Sequence, residues 1–469
     1  MRRILIFLFF MVSCAGIAMA ETGDASPRFI HVWRNDGGMW PRVSSFPISR
    51  LDSVAFRSDD PSGAVTRLLF ASRDKAEFIY KENLDSVVFG TNVPTVYIAT
   101  DPPVYDITSK KDYLEAVVRV DGYGTVPDMD STAVKIRGRG NSTWGFPKKP
   151  YRLKFSKKQS MCGLGKAKNF VLIANYLDPT HMKNTVAFKI ASLLGMPYTN
   201  HSETVNVWLN GRYVGVYMLS EKVGINSGSV DIDETTGIMW ELDQSFDEDY
   251  KFESEVYGLP VMVKDPDPAD VVDSEAGETE DEWLERWRDD FEKMEAAVVE
   301  GRAGDVIDMR SAACYMLVNL LCGNGEVEWP KSVYFYKENK EDKYVMGPVW
   351  DFDWAFGMEH EVDDPLMGGT RPGFVFMKAM VDSPDFQQAF EEVWHEFKTR
   401  HYEELLRYMK EYASKIRVAA FQDGELWPSN PNIHGKESSE AFDDRFNDLL
   451  LWLDVRVMLV DTDENHMLY

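Results

Sequence analysis

The chain has 469 residues, is 44% hydrophobic and 13% aromatic, and carries a formal net charge of −26. That apolar content is enough for packed cores and excludes a disordered chain, while the acidic excess argues against wrapping nucleic acid. Cys14, Cys162, Cys314 and Cys322 are too scattered for a disulfide framework or a zinc pattern, so the last three read as core thiols.

Residues 1–20, MRRILIFLFFMVSCAGIAMA, read as an export signal: Arg2 and Arg3 form the basic end, Ile4 to Val12 the apolar stretch, and Ala18-Met19-Ala20 the cleavage site. Cys14, preceded by Met11-Val12-Ser13, loosely resembles a lipoprotein box, so a lipid anchor at Cys14 is a second reading. Ala-Met-Ala is the better site. No later run is apolar enough to span a bilayer as a helix. Residues 21–95 read as a small β-rich module with a duplicated hairpin unit, because Leu-Asp-Ser-Val-x-Phe occurs at Leu51–Phe56 and again at Leu84–Phe89.

Residues 96–460 read as one main domain. Strand patterns come first, at 116–120, 133–137, 151–155, 170–173, 204–208 and 213–219, with a helix at 182–194. The acidic stretch 231–255 reads as solvated surface, and 264–280 as an acidic loop or linker. Helical patterns follow at 282–299 and 306–321, then strands at 332–337 and 343–350, then a largely helical tail from 385 to 458. Strands first and helices second indicate an α+β fold.

Two local features carry chemistry. Between Lys135 and Ile190 lies a basic island whose only acid is Asp178. Within it Arg152 and Lys154 alternate with apolar residues and share one strand face. The glycines of Arg137-Gly-Arg-Gly-Asn-Ser-Thr-Trp144 would let backbone amides approach an anion. A polyanion site and a solvated charged face both fit this composition. The second feature is GPVWDFDWAFG, residues 347–357. On a strand, Asp351 and Asp353 would point to one face roughly 6.5–7 Å apart, where like charges repel unless a cation lies between them. A hard divalent cation prefers such oxygen ligands.

KIRGRGNSTWGFPKKPYRLKF, NFVLIANYLDPTHMKNTVAFKIASLLG, VWLNGRYVGVYMLSEKV, WPKSVYFYK and GPVWDFDWAFG, in that order, resemble the spore coat protein H (CotH) kinase family over roughly residues 95–360. The resemblance implies an atypical protein-kinase-like domain that uses ATP with Mg²⁺ or Mn²⁺ to phosphorylate Ser or Thr of an envelope or surface protein. It implies metal ligation by Asp351, with Asp353 assisting, and phosphate contacts from Arg139, Lys149, Arg152 and Lys154. Lys183 and Asn184, at a helix start, would meet anions, although Lys183 reads equally well as a solvated cation. Glu221 would pair with one of the site cations, or else form a surface ion pair.

The sequence departs from the family where the family has Asn-x-Asp with a further Asn beyond it. Here the chain reads Gly323-Asn-Gly-Glu-Val-Glu-Trp-Pro-Lys-Ser332, with Glu326 at the position of the proton-accepting aspartate and Lys331 near that of the later Asn. An extra methylene moves a carboxylate by about 1.5 Å, and misplacement of about 1 Å can cost roughly 100-fold in rate. Glu328 is the poorer candidate, since it would face the same way only in an extended loop. The second reading is therefore a catalytically silent surface binding or scaffold protein that retains a nucleotide-binding fold. The chain then reads as exported, to the periplasm, the cell surface or the medium; mass spectrometry of the mature N-terminus is expected to find Glu21 first, and a lipidated Cys14 would replace soluble release with anchoring.

Overall fold

The computed structural model describes residues 93–469 apart from 273–276 and 464–465, together with 29–34, 42–48, 51–57, 67–72, 76–80 and 84–90. The expected export signal, Cys14 included, lies outside the described residues. The chain divides into two compact units, Met1–Asn92 and Val93–Tyr469.

In the first unit the strands are β1 (Phe29–Arg34), β2 (Arg42–Pro47), β3 (Leu51–Arg57), β4 (Arg67–Ser72), β5 (Ala76–Tyr80) and β6 (Leu84–Gly90). They form two three-stranded sheets, β2-β1-β6 and β3-β4-β5. The repeated Leu-Asp-Ser-Val-x-Phe phrases are β3 and β6, and each completes the sheet of the other repeat: β3 pairs with β4, and β6 with β1. The duplicated unit is thus a hairpin plus a third strand, exchanged between the copies. Ile30, Val32, Leu68, Phe70 and Ile79 form the core between the sheets, with Phe46 stacked on Phe70 at 4.2 Å.

The second unit begins with β7 (Thr95–Asp101), β8 (Leu114–Asp121), β9 (Met129–Gly138), β10 (Tyr151–Gln159) and β11 (Ala167–Ile173). After α1 (Lys183–Leu193) come β12 (Ser202–Leu209) and β13 (Arg212–Glu221). These strands close into a barrel in the order β10-β11-β13-β12-β7-β8-β9, sealed by the β9–β10 pairing. Alternation divides the side chains between two cores. On β11, Phe170 and Leu172 enter the barrel, while Val171 and Ile173 join the larger core outside it. A strand buried on both faces needs an unbroken apolar run, and Phe170-Val-Leu-Ile173 supplies one.

A second sheet, ordered β15-β16-β14-β17-β18, contains β14 (Ile238–Leu242), β15 (Lys251–Glu253), β16 (Pro260–Asp265), β17 (Val333–Lys337) and β18 (Val345–Met346). Around it lie α2 (Pro268–Val271), α3 (Glu280–Val299), α4 (Ala303–Val306), α5 (Met309–Cys322), α6 (Pro372–Val381), α7 (Pro384–Glu396), α8 (Tyr402–Leu426) and α9 (Ser438–Thr462). α5 is buried on all sides from Ser311 to Cys322, and Cys162, Cys314 and Cys322 are buried free thiols. Sheets dominate the first half and helices the second.

Three expectations change. The stretch 231–255 is not solvated throughout, because all five residues of β14 are buried. The segment 264–280 is not connecting chain at its start, because Lys264 and Asp265 end β16. The expected strand 343–350 shortens to β18, and Asp351 lies beyond it with a left-handed φ of 64°.

A buried polar tie joins the barrel to α8. Lys148, fully buried, donates to Val216 O at 2.5 Å and to Asp423 Oδ1 at 2.7 Å. Asp423 also accepts from Val216 N at 2.7 Å and lies 3.2 Å from His181 Nε2. Burial alone would raise the Asp423 carboxyl, but Lys148 and His181 outweigh it and hold the group below its usual range. Removing one member of such a pair strands the other charge. Lys148→Met should cost about 3–5 kcal/mol in urea unfolding, with Asp423→Leu in the same chain recovering part of it.

Candidate functional site

A cavity of about 520 Å³ opens where the barrel, the second sheet and the segment after β18 meet. Its lining includes Arg139, Arg152, Lys222, Glu241, Asp243, Lys264, Glu326, Lys331, Asp351 and Asp353. Each of these arrives by a separate structural device.

The carboxylates depend on α1 and α5. Asn184, buried in the first turn of α1, accepts from Phe352 N at 2.8 Å and donates to Asp353 Oδ1 at 2.7 Å. Lys183 donates to Ala355 O at 2.7 Å and to Asp353 O at 3.3 Å. Phe352 is fully buried, and Trp350 stacks on Phe188 of α1 at 5.6 Å. The segment is thus held from both sides, and an irregular path with Asp351 in the left-handed region still brings both aspartates to one cavity. α5 ends at Gly323, φ 63°, as helices often do where a left-handed residue stops them. Asn324 then donates to Asn319 Oδ1 at 3.0 Å, and its own Oδ1 caps the short turn 325–327 that presents Glu326.

The electrostatics of these groups follow from burial and crowding. Burial, then the charge of Asp351, drives Glu326 far above the usual carboxylate range against the pull of Lys331. Burial also raises Asp351, opposed by Arg139 and Lys331. Asp353 is raised by burial and by Asp351, with the Asn184 hydrogen bond opposing. Glu326 Oε2 is buried without a hydrogen-bond partner. An orphaned carboxylate oxygen beside two raised aspartates is what a missing cation would leave. Among the described residues no three acidic, His or Cys groups converge into a ready-made metal cage. Mg²⁺ does not require one, since it binds through one or two carboxylates together with substrate phosphates and water. Asp351 and Asp353 fit that role.

The cations fall into two groups. Lys148, Lys183 and Lys264 are committed to protein partners, Lys264 to Glu241 Oε2 at 2.6 Å. Arg152 donates to Asn169 Oδ1 at 2.9 Å and still lines the cavity. Arg139, Lys222 and Lys331 line it with no side-chain hydrogen bond or ion pair to any described residue. Burial, and then repulsion from Lys264 and Arg152, hold the Lys222 ammonium down to about 8. Cations without partners in a common cavity fit a polyanion. The loop after β9 closes one side of it. There Gly140 has a φ of 89° and a Cβ would meet Thr143 Oγ1 at 2.3 Å, while Asn141 reaches across to Ser245 Oγ at 3.1 Å.

Other expected site residues lie elsewhere. Lys149 donates to Trp144 O at 2.7 Å and is absent from the cavity lining. Lys154 shares the outward face of β10 with Arg152 but stays exposed, 6.0 Å from the Tyr113 ring. Lys183 is a buried structural cation rather than a solvated one, and the α1 N-terminus takes no anion because Asp178 Oδ2 accepts from Met182 N and Lys183 N at 2.8 and 3.0 Å. Glu221 is fully buried and accepts from Gly165 N and His201 N at 2.7 and 3.1 Å, with His201 Nδ1 also at 3.1 Å, so it pairs with none of the site cations. The carboxylate–lysine pair in the cavity is Glu241–Lys264 instead. Glu328 turns away to accept from Gly368 N at 3.1 Å.

Fold and cleft together define an α+β protein in which unpaired cations face crowded carboxylates. The sequence model of the CotH kinase protein family matches residues 136–459, so the chain belongs to the CotH kinase family. The match starts within β9 and runs through the helical tail into α9, beyond the stretch 95–360 that carries the resemblance by eye. No curated protein matches the chain.

Binding of a polyanion should return Lys222 to full charge. With its ammonium held to about 8, Lys222 should take up a substantial fraction of a proton, about half near pH 8, when inorganic tripolyphosphate binds. Calorimetry in two buffers of different ionisation enthalpy measures this uptake, and Lys222→Met should abolish it.

Proposed function

We propose that the chain is an exported, metal-dependent protein kinase that moves the terminal phosphoryl group of ATP to a Ser or Thr hydroxyl of an envelope or surface protein. The observation that carries this reading is the placement of unpaired Arg139, Lys222 and Lys331 in one cavity with Asp351, Asp353 and Glu326. Family membership narrows the chemistry to a kinase-like one.

In this reading Arg139, Lys222, Lys331 and Arg152 bind the phosphates, with Arg suited to bidentate contact and Lys acting as a compact charge. Asp351 and Asp353 would hold Mg²⁺ or Mn²⁺, which when bound with the phosphates neutralises charge that builds up on the transferred group. The acceptor hydroxyl oxygen bonds to the terminal phosphorus, the bond from phosphorus to the ADP oxygen breaks, and the hydroxyl proton passes to Glu326 Oε2. That oxygen has no competing protein partner. Burial and the charges of Asp351, Glu359 and Asp243 favour a protonated Glu326, and neutralising Asp351 removes the largest of the three charge contributions.

The silent-scaffold reading is favoured by the same fact, since a carboxyl that stays protonated accepts nothing. ATP consumption and phosphate incorporation by the purified chain decide between them. Glu326→Gln should keep nucleotide affinity and lose about 100-fold or more in turnover, whereas Asp351→Asn should lose metal-dependent nucleotide binding. Binding without turnover in the unmodified chain would establish the scaffold.

A further inference from the structure

The crowding of negative charge around Glu326 raises the question of what balances it during phosphoryl transfer. Protein kinases commonly bring two divalent cations to the phosphates. Besides Asp351, Asp353 and Glu326, four acids line the cavity: Asp243 accepts from Ser245 N at 2.7 Å and Ser332 N at 3.3 Å, Glu241 from Lys264 and the Tyr334 hydroxyl at 2.8 Å, Glu248 lies 3.8 Å from Lys264, and Asp247 is exposed at the edge. No three-ligand group exists among the described residues.

Lys331 sits in the same cavity with its ammonium uncommitted. Its placement is built in. Lys331 N donates to Glu326 O at 3.1 Å, folding the 326–331 loop back on itself, and Pro330 O accepts from Gln244 N at 2.9 Å, fixing the same loop to the end of β14. Ser332 follows with a left-handed φ of 51° and opens β17. Lys331 acts on both functional carboxylates, opposing the rise of Asp351 and of Glu326. Arg139, on the loop after β9, opposes only the first of these among its leading interactions.

Resting on the kinase reading above, we infer that Lys331 is a built-in cation that stands in for a second metal ion, so that this protein binds nucleotide with one divalent ion. A lysine ammonium is a compact charge with three donors, suited to bridging phosphate oxygens beside Glu326. It needs no coordination shell, which agrees with Asp243 and Glu241 being held by protein donors. The device also fixes one positive charge next to the proton acceptor whatever the metal concentration outside the cell.

The test counts metal rather than activity. Mn²⁺ bound to the full chain in the presence of a non-hydrolysable ATP analogue is measured by electron paramagnetic resonance, and analogue affinity by calorimetry across a Mn²⁺ series. One Mn²⁺ per nucleotide is expected for the unmodified chain. Lys331→Met should weaken analogue binding by about tenfold or more at low Mn²⁺, with high Mn²⁺ restoring much of the loss, and Lys331→Arg should behave like the unmodified chain. Two Mn²⁺ per nucleotide in the unmodified chain, or affinity unchanged in Lys331→Met, would overturn the inference and leave the kinase reading standing. No analogue binding by the unmodified chain at any Mn²⁺ concentration would overturn both. Lys331 is half-buried in an open cavity, and a melting temperature unchanged in Lys331→Met separates a charge effect from loss of fold.

Discussion

Asn184 accepts from Phe352 N and donates to Asp353 Oδ1, so one buried amide sets both the backbone path through 352 and the direction of the second aspartate. Lys183 beside it fixes Ala355 O, and Phe356 N donates to Cys322 O at 2.7 Å at the end of α5. Between these ties the chain turns through a left-handed Asp351 and a left-handed Phe356. Such conformations cost of order 1–3 kcal/mol each and persist only where the surroundings over-determine them. A buried hydrogen bond to a charged group contributes about 1.5–3 kcal/mol, so the Asn184 and Lys183 contacts are of the right size to hold them. The 352–355 segment that carries Asp353 is placed by α1 rather than by a strand.

That dependence explains which parts of the site were legible in the sequence. That Asp351 and Asp353 face one cavity was readable, but the reason was not a strand. β18 stops at Met346, and local alternation carries no information about a turn imposed by a helix 170 residues away. The roles of Lys183 and Glu221 were misread for a related reason. Both are ionisable residues at element ends, where exposure is the usual expectation, and both are satisfied by backbone groups that only the tertiary fold brings near. By contrast the barrel strands were legible because their apolar runs face two cores. Leu153 and Phe155 point into the barrel and leave Arg152 and Lys154 outside, as period-two reading requires.

Glu241, Asp243 and Lys264 were hidden by composition. They lie in stretches so acidic that charge alone suggested solvated surface or linker, yet Ile238–Leu242 is the central strand of the second sheet. The usable signal was its apolar run Ile238-Met-Trp240, followed by acids spaced to share a face. In a chain with a net charge of −26, an acid on a buried strand is easily lost among the many that are not.

Three of the cavity's cations without a side-chain partner among the described residues come from separate places. Arg139 follows β9, Lys222 follows β13, and Lys331 precedes β17. Two stand on the barrel and one on the second sheet, so a ligand that engages all three needs those parts held in register. Asn141–Ser245 crosses the cavity between them, Glu241–Lys264 locks β14 to β16, and Lys148–Asp423 ties the barrel to α8. The Glu241–Lys264 and Lys148–Asp423 ties satisfy buried charged groups, the Asn141–Ser245 tie is exposed, and each leaves Arg139, Lys222 and Lys331 untouched. Rigidity and binding are thereby assigned to different side chains. This division has a consequence for Glu326. The turn that presents it is capped by Asn324, which Asn319 holds in turn. Its affinity for a proton is set by burial first and then by the charge of Asp351, with Lys331 opposing.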